Sequence, residues 1–346
     1  RGAYDAPGEQ VDRRLPQELA SDWLSKSKTK RRDRRELAQW LTAPDNPLVS
    51  RVAVNRFWQA IFGVGIVATS EDVGMQGESP SHPKLLDYLA RDFVESGWNV
   101  KALLKQIVMS ATYRQSSQRR LDLEEIDPDN RMLAYFPPRR LEAEFVRDQA
   151  LHAAGILNRD IGGPSAHPYQ PANYYESLNF PMREYQADDG ELQYRRGVYT
   201  HWQRTFLHPM MANFDAPSRE ECTAERTVSN TPQQALTLLN DPTFVEAARS
   251  LAGRTLQDFS TAPFEQQLEA AFMRVLSRAP ETAEVSALAN LHAAQLESYA
   301  NSPAAAEQLA AVGNLPVDAD LDPVQLAAWT QVARVLLNLN EAIVRY

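Results

Sequence analysis

The stretch TPQQALTLLNDPTFVEAARSLA, residues 231–252, carries two helix starts in succession. Thr231-Pro232 and Asp241-Pro242 each set a capping side chain before a proline at the first helical position. The cap oxygen accepts a bond from an orphaned amide, and proline has no amide to orphan. Asn46-Pro47 and Asp322-Pro323 repeat the signal at both ends of the chain. Apolar spacing downstream predicts helices over 231–239, 242–257, 264–278, 281–299 and 323–345, with an alanine-rich piece over 303–316. Upstream it predicts helices over 31–42, from Leu48 to Phe62 with a stop at Gly63, from Pro83 to Gly97, and from Asn99 through Ala111. The segment RRLEAEFVRDQALHAAGIL, residues 139–157, follows Pro137-Pro138 as a fifth helix. The fold class expected is therefore mainly α: a compact multi-helix domain with a central loop-rich insertion and room for a short β-hairpin near 192–200. Four parts are expected in one composite domain: an extended lead-in over 1–30, helices over 31–157, loops over 158–230, and helices over 231–346.

Composition narrows the function classes. The chain has 346 residues, 43% of them hydrophobic, and a formal net charge of −9, with a pI near 5.3. A nucleic-acid binder would show a basic face, and this balance argues against one. The run KSKTKRRDRR at 26–35 reads as a solvated loop and first helical turn, with an anion patch as its functional alternative. The lone Cys222 excludes an internal disulfide framework, a multi-cysteine zinc site and a Cys-x-x-Cys-His haem attachment. No apolar run approaches the roughly 20 residues of a membrane span. The chain begins at Arg1 without methionine and reads as a piece of a longer precursor.

Candidate chemistry concentrates between Arg195 and Asp241. Five arginines lie there: Arg195, Arg196, Arg204, Arg219 and Arg226. Guanidinium forks hold carboxylate, sulfate or phosphate in two-pronged fashion, although Glu220, Glu221 and Glu225 can neutralise some of them. Tyr199, Trp202 and the nearby tyrosines offer faces that suit sugar rings, or simply a core beneath a long loop. His201, His208 and Asp215 could ligate a metal, but their spacing matches no compact ligand motif and no metal is assigned. Cys222 with either histidine could form a nucleophile and base, but no local signature accompanies it. On the fifth helix Arg140, Glu144 and Asp148 stand four apart, with Arg147 beside them. Exposed, they form a salt-bridge ladder; buried, their pairing is obligatory, because an unpaired buried charge costs several kcal/mol. No nucleotide-binding glycine loop and no Gly-x-Ser-x-Gly elbow occurs.

Several segments taken together are distinctive: LAQWLTAPDNPLVSRVAVNRFWQAIFGVGIVATSEDVG, ESPSHPKLLDYLARDFVESGWNVKALLKQIVMSATYRQSS, PRRLEAEFVRDQAL, RRGVYTHWQRT, FDAPSREECTAERTVSNTPQQALTLLNDPTFVEAARSLA and WTQVARVLLNLNEAIVRY. They resemble the planctomycete-type domain of unknown function PSD1 (DUF1553), found at the C-terminal end of large exported proteins. The resemblance covers nearly the whole chain. One departure is Val73, where the family usually carries phenylalanine. The resemblance implies an exported, periplasmic or cell-surface protein of planctomycete type, with upstream domains of the same polypeptide as partners. Haem, where present, would sit in an upstream cytochrome c module, so no cofactor is assigned here. No catalytic role comes with the family.

Motif positions of the family fall on Asn55 and Arg56, on Tyr113 and Arg114, on Arg140, Glu144 and Asp148, and on Arg195, Arg196, Tyr199, Arg204, Asp215 and Arg226. The expectation is that Asn55, Arg56, Tyr113, Arg114 and Arg140 converge on Arg196, Arg204 and Asp215. Such a pocket would take an anionic or carbohydrate ligand, an anionic oligosaccharide among them. Three readings follow. One is a ligand- or partner-binding module in a redox- or polysaccharide-processing protein. Another is a hydrolase or lyase on anionic polysaccharide, with Glu144, Asp148 or Asp215 as acid or base and His201 as proton shuttle. The third is a structural domain packed on its upstream neighbour.

Overall fold

The computed structural model describes residues 5–9, 13, 15, 16, 19, 33–172, 174–177, 184–203 and 206–346. Among these residues the protein is mainly helical, with thirteen α-helices and one small two-stranded sheet. The chain divides at Pro137/Pro138 into two units, residues 1–137 and residues 138–345. The boundaries expected at 157/158 and 230/231 fall inside the second unit. Most of the basic run at 26–35 lies outside the described residues.

The first unit is an aromatic-rich helical cluster. Helix α1 (Arg34–Leu41) is capped by Asp33, whose Oδ1 accepts from the amides of Arg35 and Glu36 at 2.9 and 3.0 Å. Helix α2 (Val49–Phe62) begins two residues after Pro47, and Asn46 accepts from the amides of Leu48 and Val49. Helix α3 (Pro83–Glu95) has proline in its first turn. Asn99 caps α4 (Val100–Val108) through the Ala102 amide. Val54, Trp58 and Phe62 recur at helical spacing on α2, as do Leu86, Leu89 and Phe93 on α3, and all six are buried. The Phe62 ring lies 4.4 Å from Trp58 and 5.9 Å from Phe136. Burying a ring of that size contributes about 1.5–3 kcal/mol.

In the second unit, strand β1 (Arg139–Arg140) leads into α5 (Ala143–Ala154), which ends at Gly155 in the left-handed conformation. After the loop-rich centre and the short α6 (Pro209–Asn213) come α7 (Pro232–Asn240), α8 (Pro242–Asp258), α9 (Phe264–Val275) and α10 (Thr282–Ala300). Helices α11 (Pro303–Ala310), α12 (Pro323–Asn338) and α13 (Asn340–Ile343) complete it, followed by β2 (Val344–Arg345). Helices α8 and α12 form the central pair. Ala247, Ala248, Ala327 and Ala328 are all at most 1% exposed, and side chains this small let two helix backbones approach closely. Trp329, Phe272 and Leu251 fill the space beside them. Asp241 and Asp322 cap α8 and α12 as their dipeptides predict, while Thr231 makes no side-chain cap bond to α7.

The structure corrects three local expectations. The fifth helix does not begin at Arg139, because Arg139 and Arg140 pair antiparallel with Arg345 and Val344. The helix expected over 323–345 likewise ends at Asn338; the short α13 follows, and Val344 and Arg345 are extended because they pair with β1. No hairpin forms near 192–200. That stretch holds two 3-10 turns, Gly190–Tyr194 and Gly197–Tyr199, because several of its backbone groups bond to side chains of α5.

Candidate functional site

Helix α5 and the residue pair before it grip the loop-rich centre at four points. Arg140, in β1, donates from Nη2 to Asp215 Oδ2 at 2.6 Å. Glu144, on the first turn of α5, accepts from Arg226 at 2.7 and 3.3 Å. Arg147, one turn on, donates to the carbonyls of Arg195 and Gln193. Asp148 accepts the Gly197 amide at 2.6 Å. Spacings of three and four residues put Glu144, Arg147 and Asp148 on one face of α5, and that face meets the central segment. Gly197 makes the close approach possible. A Cβ there would stand 2.8 Å from the Cα and carbonyl oxygen of Glu144, which no side chain can do without moving the backbone.

Each grip is further tied. Asp215 sits in the left-handed region at φ 61° and also accepts from the Ser229 amide at 2.9 Å and hydroxyl at 2.8 Å. Burial opposes its ionisation, but Ser229 and Arg140 outweigh burial and hold the carboxyl below the usual range. Arg195 is buried, and its fork closes on the carbonyls of Pro164 and Gly162, stapling the 160–164 loop. Burial pushes the Arg147 guanidinium down, against the pull of Asp148 and Asp241. Burial also pushes Asp148 up, against the Gly197 amide and the Arg147 and Arg196 charges. It is thus a carboxyl raised toward neutrality in a cluster of cations.

The outer layer is more open. Arg219 lies with Cζ 4.0 Å from the Trp202 ring centre, its side chain 44% exposed, and it reaches Glu144 only at 4.0 Å. Trp202 donates to the Ser218 carbonyl at 3.1 Å. Arg196 lies 5.5 Å from the Tyr199 ring, and its buried Nε has no partner. The Gly162 amide, which donates to the Tyr199 hydroxyl, draws that phenol below the usual tyrosine range. Partial desolvation opposes the shift, and Arg196 and Arg195 add to it. Between Arg140, Glu142, Asp215 and Arg226 there is a gap of only about 10 Å³. That is space for about one water.

The other expected site residues are placed as follows. Asn55, Arg56, Tyr113 and Arg114 belong to the first unit. Asn55 is buried, donating to the Val67 carbonyl and accepting the Val67 amide. Tyr113 packs edge-on against Phe62 and Phe136, and Arg56 and Arg114 are exposed. Arg204 lies outside the described residues. His201 stacks on His167 with ring centres 4.5 Å apart. His208 is buried with Nε2 2.9 Å from the Tyr169 carbonyl. Burial and the Arg147 charge depress its pKa to about 4. Cys222 is exposed and free. Among the described residues no group of three or more His, Cys, Asp or Glu side chains comes together as metal ligands. No helix among them is long and apolar enough to cross a membrane.

Gly197, Ser229 and Glu142 are structural members that sequence reasoning did not single out. Gly197 had a visible signal, a glycine between an arginine pair and a tyrosine in RRGVY. Ser229 had none. A family model matches residues 33–292, more than half the chain and all four grips on α5. The chain belongs to PSD1, a family of proteins of unknown function (DUF1553). No curated protein and no solved structure matches the chain. In this PSD1 domain the motif of arginines and carboxylates is an assembly that holds a long irregular segment in one conformation.

Proposed function

We propose that this PSD1 domain is a non-catalytic binding module of a longer exported protein, with the surface around Trp202 and Arg219 as its recognition face. The observation that carries the reading is the Trp202–Arg219 pair: a half-exposed guanidinium stacked on an aromatic ring, with its nearest carboxylate 4.0 Å away. An aromatic face beside a cation suits an anionic sugar, whose ring stacks while its acid group meets the guanidinium. Arg140, Arg147, Arg195 and Arg226 hold the face from behind. The test is titration of sulfated and uronic oligosaccharides into the 346-residue chain, its Arg219→Ala variant and its Arg140→Ala variant. Binding lost in Arg219→Ala at unchanged melting temperature supports the reading; Arg140→Ala should instead lower the melting temperature. Equal binding by the unchanged chain and Arg219→Ala, or no binding of any of these sugars, overturns it.

The hydrolase or lyase reading keeps one specific support. Asp148 is a carboxyl pushed up by burial beside Arg196, the direction of shift that suits a proton donor. Product release from an anionic polysaccharide, abolished in Asp148→Asn, would favour this reading over the first.

A further inference from the structure

A cavity of about 240 Å³ lies along one stripe of α8, walled on its other side by the 315–321 segment and Ile156. Its apolar walls are Ile156, Pro316, Leu321 and Leu326. Two arginines of α8, Arg249 and Arg254, line it as well. Arg249 is 4% exposed, and its Nε is buried without a hydrogen-bond partner. Its Nη2 donates to the Leu315 carbonyl at 2.8 Å and stands 3.5 Å from Glu246. Glu246 is already engaged by the Tyr169 and Tyr194 hydroxyls and the Leu315 amide. Arg254 donates to the Ala153 carbonyl at 3.3 Å and forms no ion pair among the described residues. The one carboxylate in the lining, Asp318, accepts from Gln257 and from the Asp320 amide. A buried guanidinium with an unmade bond, a second cation without a carboxylate, and apolar walls make a complementary surface for one kind of guest.

We propose that this cavity binds a small organic acid with an apolar body, its carboxylate between Arg249 and Arg254. The size fits: an apolar cavity of about 150 Å³ takes a benzene ring, and the remaining volume accommodates a short acid arm. The site shares no side chain with the Trp202–Arg219 face, so either can fail without the other.

Gly253 offers a clean control. A Cβ there would meet only Leu321 Cδ1 at 3.5 Å and Leu326 Cδ1 at 3.9 Å. A long side chain at 253 would therefore enter the cavity from a mid-helix position at which methionine is a better helix former than glycine. The experiment titrates 3-phenylpropionate, its neutral amide, and acetate into the 346-residue chain by calorimetry. Saturable binding of 3-phenylpropionate is expected, with the amide and acetate weaker by about tenfold or more, since each lacks one half of the recognition. Gly253→Met should abolish binding while keeping or raising the melting temperature, and Arg254→Gln should weaken the acid toward the amide. Arg249 is avoided because its loss could unfold the chain. Absence of saturable binding, equal binding of acid and amide, or undiminished binding by folded Gly253→Met overturns the proposal.

Discussion

The two units use charge in opposite ways. In the first, the ion pairs lie at the surface: Arg51–Asp87 has side chains 40% and 60% exposed, and Arg91–Glu95 81% and 62%. Among the described residues its buried polar groups, such as Asn55, are uncharged, and they lie in one interior with Trp58, Phe62, Phe93 and Phe136. In the second, Arg140–Asp215 is 10% and 16% exposed and Glu246–Arg249 only 1% and 5%. Regular helices satisfy their own backbone, so helices α1–α4 need only apolar contact to assemble. The described residues between 158 and 230 have little regular structure, and their carbonyls and amides must find partners in side chains. Long charged side chains on α5 supply them. A loop-rich region can thus be as determined as a helical one when a rigid helix carries its bonding partners.

The sharpest way to break this contrast is to compare Asp215→Ala with Phe62→Ala. Each should destabilise by about 3–5 kcal/mol, the first by stranding a buried guanidinium and the second by opening a cavity. Denaturant unfolding followed across pH separates the two mechanisms. The folded pKa of Asp215 is held down, so its contribution is present above the unfolded carboxylate range and lost as pH falls through the folded value. The loss from Asp215→Ala should therefore shrink in acid, while that from Phe62→Ala should persist.

His208 comes next in size. Depression of a buried histidine from the ordinary 6.5 to about 4 corresponds to about 3 kcal/mol. Between those values the unfolded chain takes up the proton and the folded chain does not. Stability should be complete above pH 6.5 and fall as the pH drops toward 4. Replacing His208 by glutamine should remove that slope from the pH profile; an unchanged slope would assign it elsewhere.

Gly197→Ala should cost about 1–3 kcal/mol, the usual range for forcing an atom into a packed contact. Its effect should appear as faster hydrogen exchange in 190–200 with little change in the first unit.

The smallest effects sharpen the same line. Arg91→Ala should leave the melting temperature nearly unchanged, as removal of an exposed, solvent-screened ion pair does. Asp148→Asn keeps an oxygen for the Gly197 amide and removes a charge that burial disfavours. Stability due to Asp148 falls as pH rises from the unfolded carboxyl pKa through the raised folded one, so the asparagine variant should be equal or slightly more stable near pH 7. A clear loss there would show that ionised Asp148 is needed by its cationic neighbours.

The helices were legible because their causes are local. A cap, a proline and an apolar repeat at Asp241–Leu251 act within a few residues and need no distant partner. The spacing of Glu144 and Asp148 likewise put them on one face of α5, and the central arginines marked the segment they would meet. Spacing could not say which residue each would hold. Arg140 with Asp215 and Glu144 with Arg226 are separated by 75 and 82 residues. Arg139 and Arg140 read as helix and became strand, because their partners lie at the far end of the chain. Thr231 read as a cap and makes no cap bond, while Asn55 entered as a ligand candidate and is spent on Val67.

The amino-acid sequence by itself determined the helical class, most helix starts, the family and the face of α5 that carries charge. Those depend on hydrogen bonds and periodicities a few residues long. Only the tertiary structure decided that Arg140, Arg147, Arg195 and Arg226 bind the chain itself, that Arg219 stays open over Trp202, and that Arg249 and Arg254 share a cavity. Whether a guanidinium is spent or available depends on what long-range packing brings within 3 Å of it, and no local rule contains that distance.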